Sequence, residues 1–242
     1  MAIDLARIYD KLESLFARHD LVAAEQLLLY WRDEAVALGD EVGEKQIDNE
    51  LLGLYRRTDE REKALAVAER LLPRLSPDNV GDATIRLNLA TDYCHFGLPE
   101  RALPLYREVE AVYLAHLAAD DYRLASLYNN MASYAMTTKD YREAEATYQK
   151  ALDVLSRIEP PLPETAVTLV NLATAAYHRN PLDRQVDERM LAAYDLLMTP
   201  SMPRDGNFAF VLSKVIPIFE HLGYREQTAT LKALLAFVEE TV

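Results

Sequence analysis

The sequence predicts an all-α solenoid of stacked helical hairpins. Apolar residues recur at helical spacing along nearly the whole chain, no segment alternates convincingly as a strand, and the breaks between periodic segments come at regular intervals. The breaks fall near Arg18–Asp20, Gly39–Asp40, Thr58–Asp59, Ser76–Gly81, Gly97–Pro99, Ala118–Asp120, Lys139–Asp140, Glu159–Pro163, Asn180–Asp183, Thr199–Asp205 and Gly223. They leave twelve segments of roughly 15–20 residues, ordinary helix length.

The twelve helices pair into six antiparallel hairpins, at about 1–39, 40–78, 79–118, 119–159, 160–200 and 201–242. A fixed period of this size marks a repeat array, in which each hairpin buries its apolar face against the next. Several ends carry the expected chemistry. Asp140 and Glu143 fit a capping box. Gly97 suits a left-handed C-cap and Pro99 the first turn of the following helix. Pro161 and Pro163 stop one helix and open another.

Within the hairpins a second regularity appears. Tyr55 precedes Ala64 by nine residues, Tyr93 precedes Ala102 by nine, and Ala135 precedes Ala144 by nine. The small alanine lets the second helix approach the first. Residues four and seven further on (Ala68 and Leu71, Tyr106 and Val109, Tyr148 and Ala151) share its face and meet the next hairpin. The single tryptophan, Trp31, falls in the apolar run LLLYW of the first hairpin and reads as core.

This pattern resembles the tetratricopeptide repeat. The likeness is clearest in LYNNMASYAMTTKDYREAEATYQKAL (127–152) and LNLATDYCHFGLPERALPLYREV (87–109), and good in ELLGLYRRTDEREKALAVAERLL (50–72). The first, fifth and sixth hairpins match weakly. The fifth carries extra residues in its turn and no alanine at the expected place, and the sixth reads as a C-terminal cap. The longer spacing of about 42 is similar to kinesin-light-chain-like repeats and to the helical domains of bacterial peptide-sensing regulators. Those regulators begin with a helix-turn-helix domain, for which there is no room before the first hairpin. The resemblance implies a right-handed superhelix, a single solenoid over 1–242, whose first helices line a concave peptide-binding surface.

One phrase recurs three times: Asn88-Leu89-Ala90-Thr91, Asn130-Met131-Ala132-Ser133 and Asn171-Leu172-Ala173-Thr174. Leu or Met and Ala are packing residues, while the Asn and the hydroxyl three residues later share a helix face. By the resemblance, the asparagines stand where the family contacts ligand. A carboxamide both donates and accepts, so it can hold the main chain of an extended peptide without reading its side chains. The competing reading is that they bond to their own turn or bridge hairpins. Asn49 and Asn129 sit one residue earlier in the same frame. Arg56 and Arg57, His95 and His178 fall near the ends of first helices, and either arginine suits a carboxylate. The lysine set of the family's carboxylate-clamp members is not present.

Composition narrows the function classes. The chain has a formal charge of −13, with 39 acids against 26 bases, and no basic stripe, which argues against nucleic acid as a partner. The lone cysteine, Cys94, makes an intrachain disulfide impossible. No apolar run is long enough for a membrane span and the N-terminus does not read as a signal peptide, so the expected setting is the cytoplasm, with no membrane partner. Five histidines form no metal-ligand spacing, and no nucleotide-binding loop is present, so no cofactor, metal or catalytic residue is expected. Cys94 and His95 are adjacent on a helix and point in different directions.

The sequence thus points to an adaptor or scaffold, not an enzyme. Its partner is a protein or an extended peptide, captured through Asn88, Thr91, Asn130, Ser133, Asn171 and Thr174, with Asn49, Asn129, Arg56, Arg57, His95 and His178 around them. The alternatives are a regulatory sensor of a small peptide, and a scaffold that binds a folded partner or itself through an outer or terminal face.

Overall fold

The computed structural model describes residues 2–241. Among them are twelve α-helices, one short 3-10 turn and no strand. The helices are α1 (Leu5–Ala17), α2 (Leu21–Leu38), α3 (Glu41–Thr58), α4 (Arg61–Leu71), α5 (Val80–His95), α6 (Pro99–His116), α7 (Tyr122–Thr137), α8 (Tyr141–Leu155), α9 (Glu164–Arg179), α10 (Arg184–Met198), α11 (Gly206–His221) and α12 (Arg225–Thr241). They pair as the six expected hairpins. The chain divides into two compact units between Tyr113 and Leu114.

The helix starts follow from local chemistry. Asp4, Asp20, Asp40, Asn79, Asp121, Asp140, Asp183 and Asp205 each accept a hydrogen bond from a backbone N–H of the following first turn. Asp40 does more: one oxygen takes the Gly43 N–H at 3.0 Å and the other the Ile3 N–H at 2.9 Å, pinning the N-terminal segment to α3. Glycine is required at 43, because a Cβ there would stand 2.4 Å from the Asp40 carboxylate and 2.8 Å from the Ile3 side chain.

The turns inside the hairpins share one closure. A left-handed residue (His19, Asp59, Gly97, Lys139 or Gly223) is followed by an N–H that reaches back five residues. The bonds run from Asp20 to Leu15, Glu60 to Tyr55, Leu98 to Tyr93, Asp140 to Ala135 and Tyr224 to Phe219, at 2.7–3.0 Å. This also explains why Asp140 and Glu143 form only half of a capping box. Asp140 caps Glu143 at 3.1 Å, but its own N–H is spent on Ala135, and the Glu143 carboxylate instead accepts from Thr147. The fifth hairpin breaks the pattern as the sequence suggested. Its turn is extended at Asn180, whose N–H bonds Ala176 four residues back, and Gln185 stands nine residues after Ala176, where the other hairpins carry the alanine.

The core is built from the spaced residues. Tyr55, Tyr93 and Ala135 are buried, and so are Ala64, Ala102 and Ala144, with Tyr106, Val109, Tyr148 and Ala151 beyond them. In the first unit buried charge adds to this packing. Asp48 is fully buried and receives Arg32 from α2 at 3.1 Å and Arg70 from α4 at 2.6 Å, while Lys45 reaches Asp82 at 2.7 Å. The buried polar residues of the second unit are the neutral Thr147, Thr168 and Thr228. Trp31 is only half-buried, edge-on to the exposed Tyr30 at 5.3 Å, so it is not the core residue its apolar neighbours suggested.

Candidate peptide-binding groove

The turn closure gives a frame for comparing hairpins. Five residues before the carbonyl that accepts the closing bond stand Asp10, Glu50, Asn88 and Asn130 in the first four hairpins. The same count from Phe219 gives Lys214 in the sixth, and from Ala176 gives Asn171 in the fifth. The position is therefore acidic in the first two hairpins, a carboxamide in the next three and a cation in the last.

In the second unit α7, α9 and α11 enclose a concave pocket of about 430 Å³. Val167, Val170, Val211, Val215 and Ile218 make it largely apolar, and Phe210, 58% exposed, stands at its edge. Asn129, Asn130, Asn171, Ser126, Tyr122, Glu164 and Lys214 supply the polar lining. Two members of the repeated phrase, Asn130 and Asn171, thus meet in one cavity, together with Asn129.

The three carboxamides differ in what they have left to offer. Asn129 is committed: its Nδ2 lies 3.1 Å from the Ala125 carbonyl, and the Thr168 hydroxyl of α9 sits 3.0 Å from Nδ2 and 3.2 Å from Oδ1. Asn130 donates to the Ser126 carbonyl at 2.9 Å, which leaves its oxygen and its second N–H. Asn171 is half-buried and bonds no described residue, so its whole capacity is free.

Charge in the pocket is placed at two points. Glu164 accepts from Asn207 at 2.8 Å, and its charge together with burial raises the Tyr122 hydroxyl above its usual range, burial being the larger cause. Lys214 lies over the Phe210 ring at 4.9 Å and has no carboxylate partner among the described residues.

The hydroxyls of the phrase do not share the asparagines' face as their spacing suggested: none of Thr91, Ser133 and Thr174 lines the pocket. Ser133 meets the Tyr148 hydroxyl of its own hairpin at 3.1 Å. Thr91 donates to the Leu87 carbonyl at 2.9 Å and meets Tyr106, and Thr174 donates to the Val170 carbonyl at 2.8 Å. His178 is exposed and stacks on Tyr141 at 5.1 Å.

The remaining predicted residues lie in the first unit. Asn88 donates to the Asn49 oxygen at 2.8 Å, bridging α5 to α3. Arg56 pairs with Asp92, Arg57 covers the Phe16 ring at 4.5 Å, and His95 meets Asp59 at 3.2 Å. Burial raises the Glu50 carboxyl, and the Tyr9 hydroxyl is pushed up to about 12 by burial and by the Glu50 charge.

The sequence reading missed the contribution of the sixth hairpin, because its weak repeat match made it a cap. The available signal was the spacing Phe210, Lys214, Ile218, which places an aromatic, a cation and an aliphatic along one helix face. Among the described residues no group of three or more His, Cys, Asp or Glu could hold a metal ion, and no helix is long and apolar enough to cross a membrane.

Comparison with known proteins agrees with this architecture. Residues 123–181 match the tetratricopeptide repeat family model. No curated protein sequence matches the chain. Among solved structures, the nearly identical TPR-like repeats of a Podosopora anserina kinesin light chain superpose with a TM-score of 0.60 at 13% identity, covering 81% of this chain and 95% of that one. BtubC (BKLC) from P. vanneervenii gives a TM-score of 0.59 at 18% identity, covering 93% of this chain and 91% of that one. Residues 123–181 thus carry a tetratricopeptide-repeat match, and the chain shares the fold of these repeat structures.

Proposed function

We propose that the chain is an adaptor or scaffold that captures an extended peptide segment in the pocket formed by α7, α9 and α11. Tetratricopeptide repeats are protein-interaction scaffolds, and a polypeptide partner is the coarse expectation from the fold. The observation that carries the finer reading is the pairing of unspent carboxamide capacity on Asn130 and Asn171 with an apolar cavity beneath them. The carboxamides suit peptide N–H and C=O groups, and the cavity is large enough for a bulky apolar side chain. Lys214, a cation without an acidic partner, favours a carboxylate next to that side chain. No catalytic role is assigned, and the cytoplasm is the proposed setting.

The test is selection of a random peptide library on the full chain. The expected outcome is enrichment of peptides with a large apolar residue beside Asp or Glu, reduced on an Asn130→Ala/Asn171→Ala variant. Enrichment that is identical on the variant removes the pocket as the site.

A second reading has its own support. On α2, Val22, Leu29 and Val36 are 68%, 41% and 51% exposed at seven-residue spacing, with Tyr30 exposed beside them. This stripe on the first hairpin favours a scaffold that uses a terminal face. Binding lost on Leu29→Lys and kept on the Asn130→Ala/Asn171→Ala variant would select it.

A further inference from the structure

Near the turn end of the second hairpin two carboxylate contacts of opposite direction lie one helical turn apart. Arg56 of α3 pairs with Asp92 of α5, and three residues further along the chain Asp59 meets Nε2 of His95 at 3.2 Å. The pairs differ in their access to water. The Asp92 side chain is 4% exposed, whereas those of His95 and Asp59 are 41% and 85% exposed.

Asp92 is also incompletely satisfied. Its Oδ1 accepts from Arg56, but Oδ2 is buried with no hydrogen-bond partner among the described residues. A buried carboxylate oxygen without a donor is costly while it is charged, and a proton is the simplest way to remove that cost. The titratable and charged groups that act on it are Arg56 from α3 and His95 on its own helix, with Asp59 beyond His95; the Tyr106 hydroxyl of α6 lies within the field of Arg56.

We propose that this junction is a proton-operated switch between the second and third hairpins. Proton uptake at Oδ2 of Asp92 reduces its ion pair with Arg56 to a neutral hydrogen bond, leaving the half-exposed guanidinium available to a carboxylate from outside the junction. The Asp59–His95 contact at 3.2 Å is a second link between the two hairpins, which keeps them joined while Arg56 changes partner.

Burial, opposed by Arg56 and then by His95, pushes the Asp92 carboxyl up to about 6. The folded value lies above that of the unfolded chain. Its contribution to stability is therefore fully present in acid and lost as pH rises through about 6. Asp92 works against the usual acid lability of carboxylate pairs.

The deciding experiment is a carbon-13 carboxyl NMR titration of the intact wild-type chain, with the Arg56 guanidinium signals followed in parallel. The expected result is an Asp92 midpoint near 6 with the Arg56 signals moving through the same midpoint, and loss of that movement in Asp92→Asn. An Asp92 midpoint at the ordinary value of about 4 overturns the proposal. So do Arg56 signals that stay flat through the Asp92 transition. The wild-type titration decides by itself if Asp92→Asn does not fold.

Discussion

Asn129 and Thr168 tie the fourth hairpin to the fifth: the Thr168 hydroxyl, in a fully buried residue, lies 3.0 Å from the nitrogen and 3.2 Å from the oxygen of the Asn129 carboxamide. The adjacent Asn130 makes one bond, to its own helix. Two neighbouring asparagines therefore do different work, and mutagenesis separates them. Asn129→Ala is expected to destabilise the chain by about 1–2 kcal/mol, since it removes the link between hairpins and leaves the buried Thr168 hydroxyl only its 3.3 Å contact to the Glu164 carbonyl. Asn130→Ala is expected to leave the thermal midpoint nearly unchanged and to weaken peptide binding several-fold. Thermal unfolding followed by circular dichroism checks the first, and titration calorimetry with a selected peptide checks the second.

The spaced alanines give a packing prediction. Ala144 is fully buried in the core cluster with Ala135 and Tyr148. Ala144→Leu is expected to cost about 1–3 kcal/mol through overpacking, measured by urea denaturation.

These two predictions show how much the sequence disclosed. All six hairpins are visible in it, because caps, left-handed turn residues and the nine-residue interval are local signals. So is the in-phase placement of Asn130 and Asn171, which meet in one pocket. The hydroxyls were harder to place. Three helical residues turn through about 300°, so Ser133 sits about 60° away from Asn130, and that is enough to point it at Tyr148 of its own hairpin. Phe210 and Lys214 leave no mark in the repeat pattern, because the lining of a pocket is set by pitch and neighbours while the repeat is defined by packing residues.

Asp40 makes the N-terminal anchor sensitive to acid. The Gly43 and then the Ile3 N–H groups hold its carboxyl below the usual range. A lowered folded value means that this contribution is present above the unfolded value and lost as pH falls through the folded one. Asp40→Ala is expected to cost about 1 kcal/mol as a lost helix cap and to raise hydrogen exchange at Ile3 and Gly43. Gly43→Ala should loosen the same amides, by collision rather than by loss of a bond.

The buried charge of the first unit predicts a contrast with the second. Asp48→Ala removes the common partner of Arg32 and Arg70 and is expected to cost about 3 kcal/mol. Hydrogen exchange should rise in α2, α3 and α4, with α9 to α11 little affected.

In the proposed binding mode Lys214 sets the charge preference of the pocket. Lys214→Glu is expected to reverse it, weakening peptides with an acidic residue beside the apolar anchor by about tenfold, which is roughly 1.4 kcal/mol. Neutral peptides should change far less. Fluorescence anisotropy with matched acidic and neutral peptides reads the difference.

The most direct test of the central claim is to titrate a library-selected peptide into the nitrogen-15-labelled chain and follow the side-chain amides of Asn130 and Asn171. The account predicts that both carboxamide signals shift together with the backbone signals of Phe210 and Lys214. Saturation with both carboxamides unmoved, and with shifts confined to α2 or to the first unit, would contradict it.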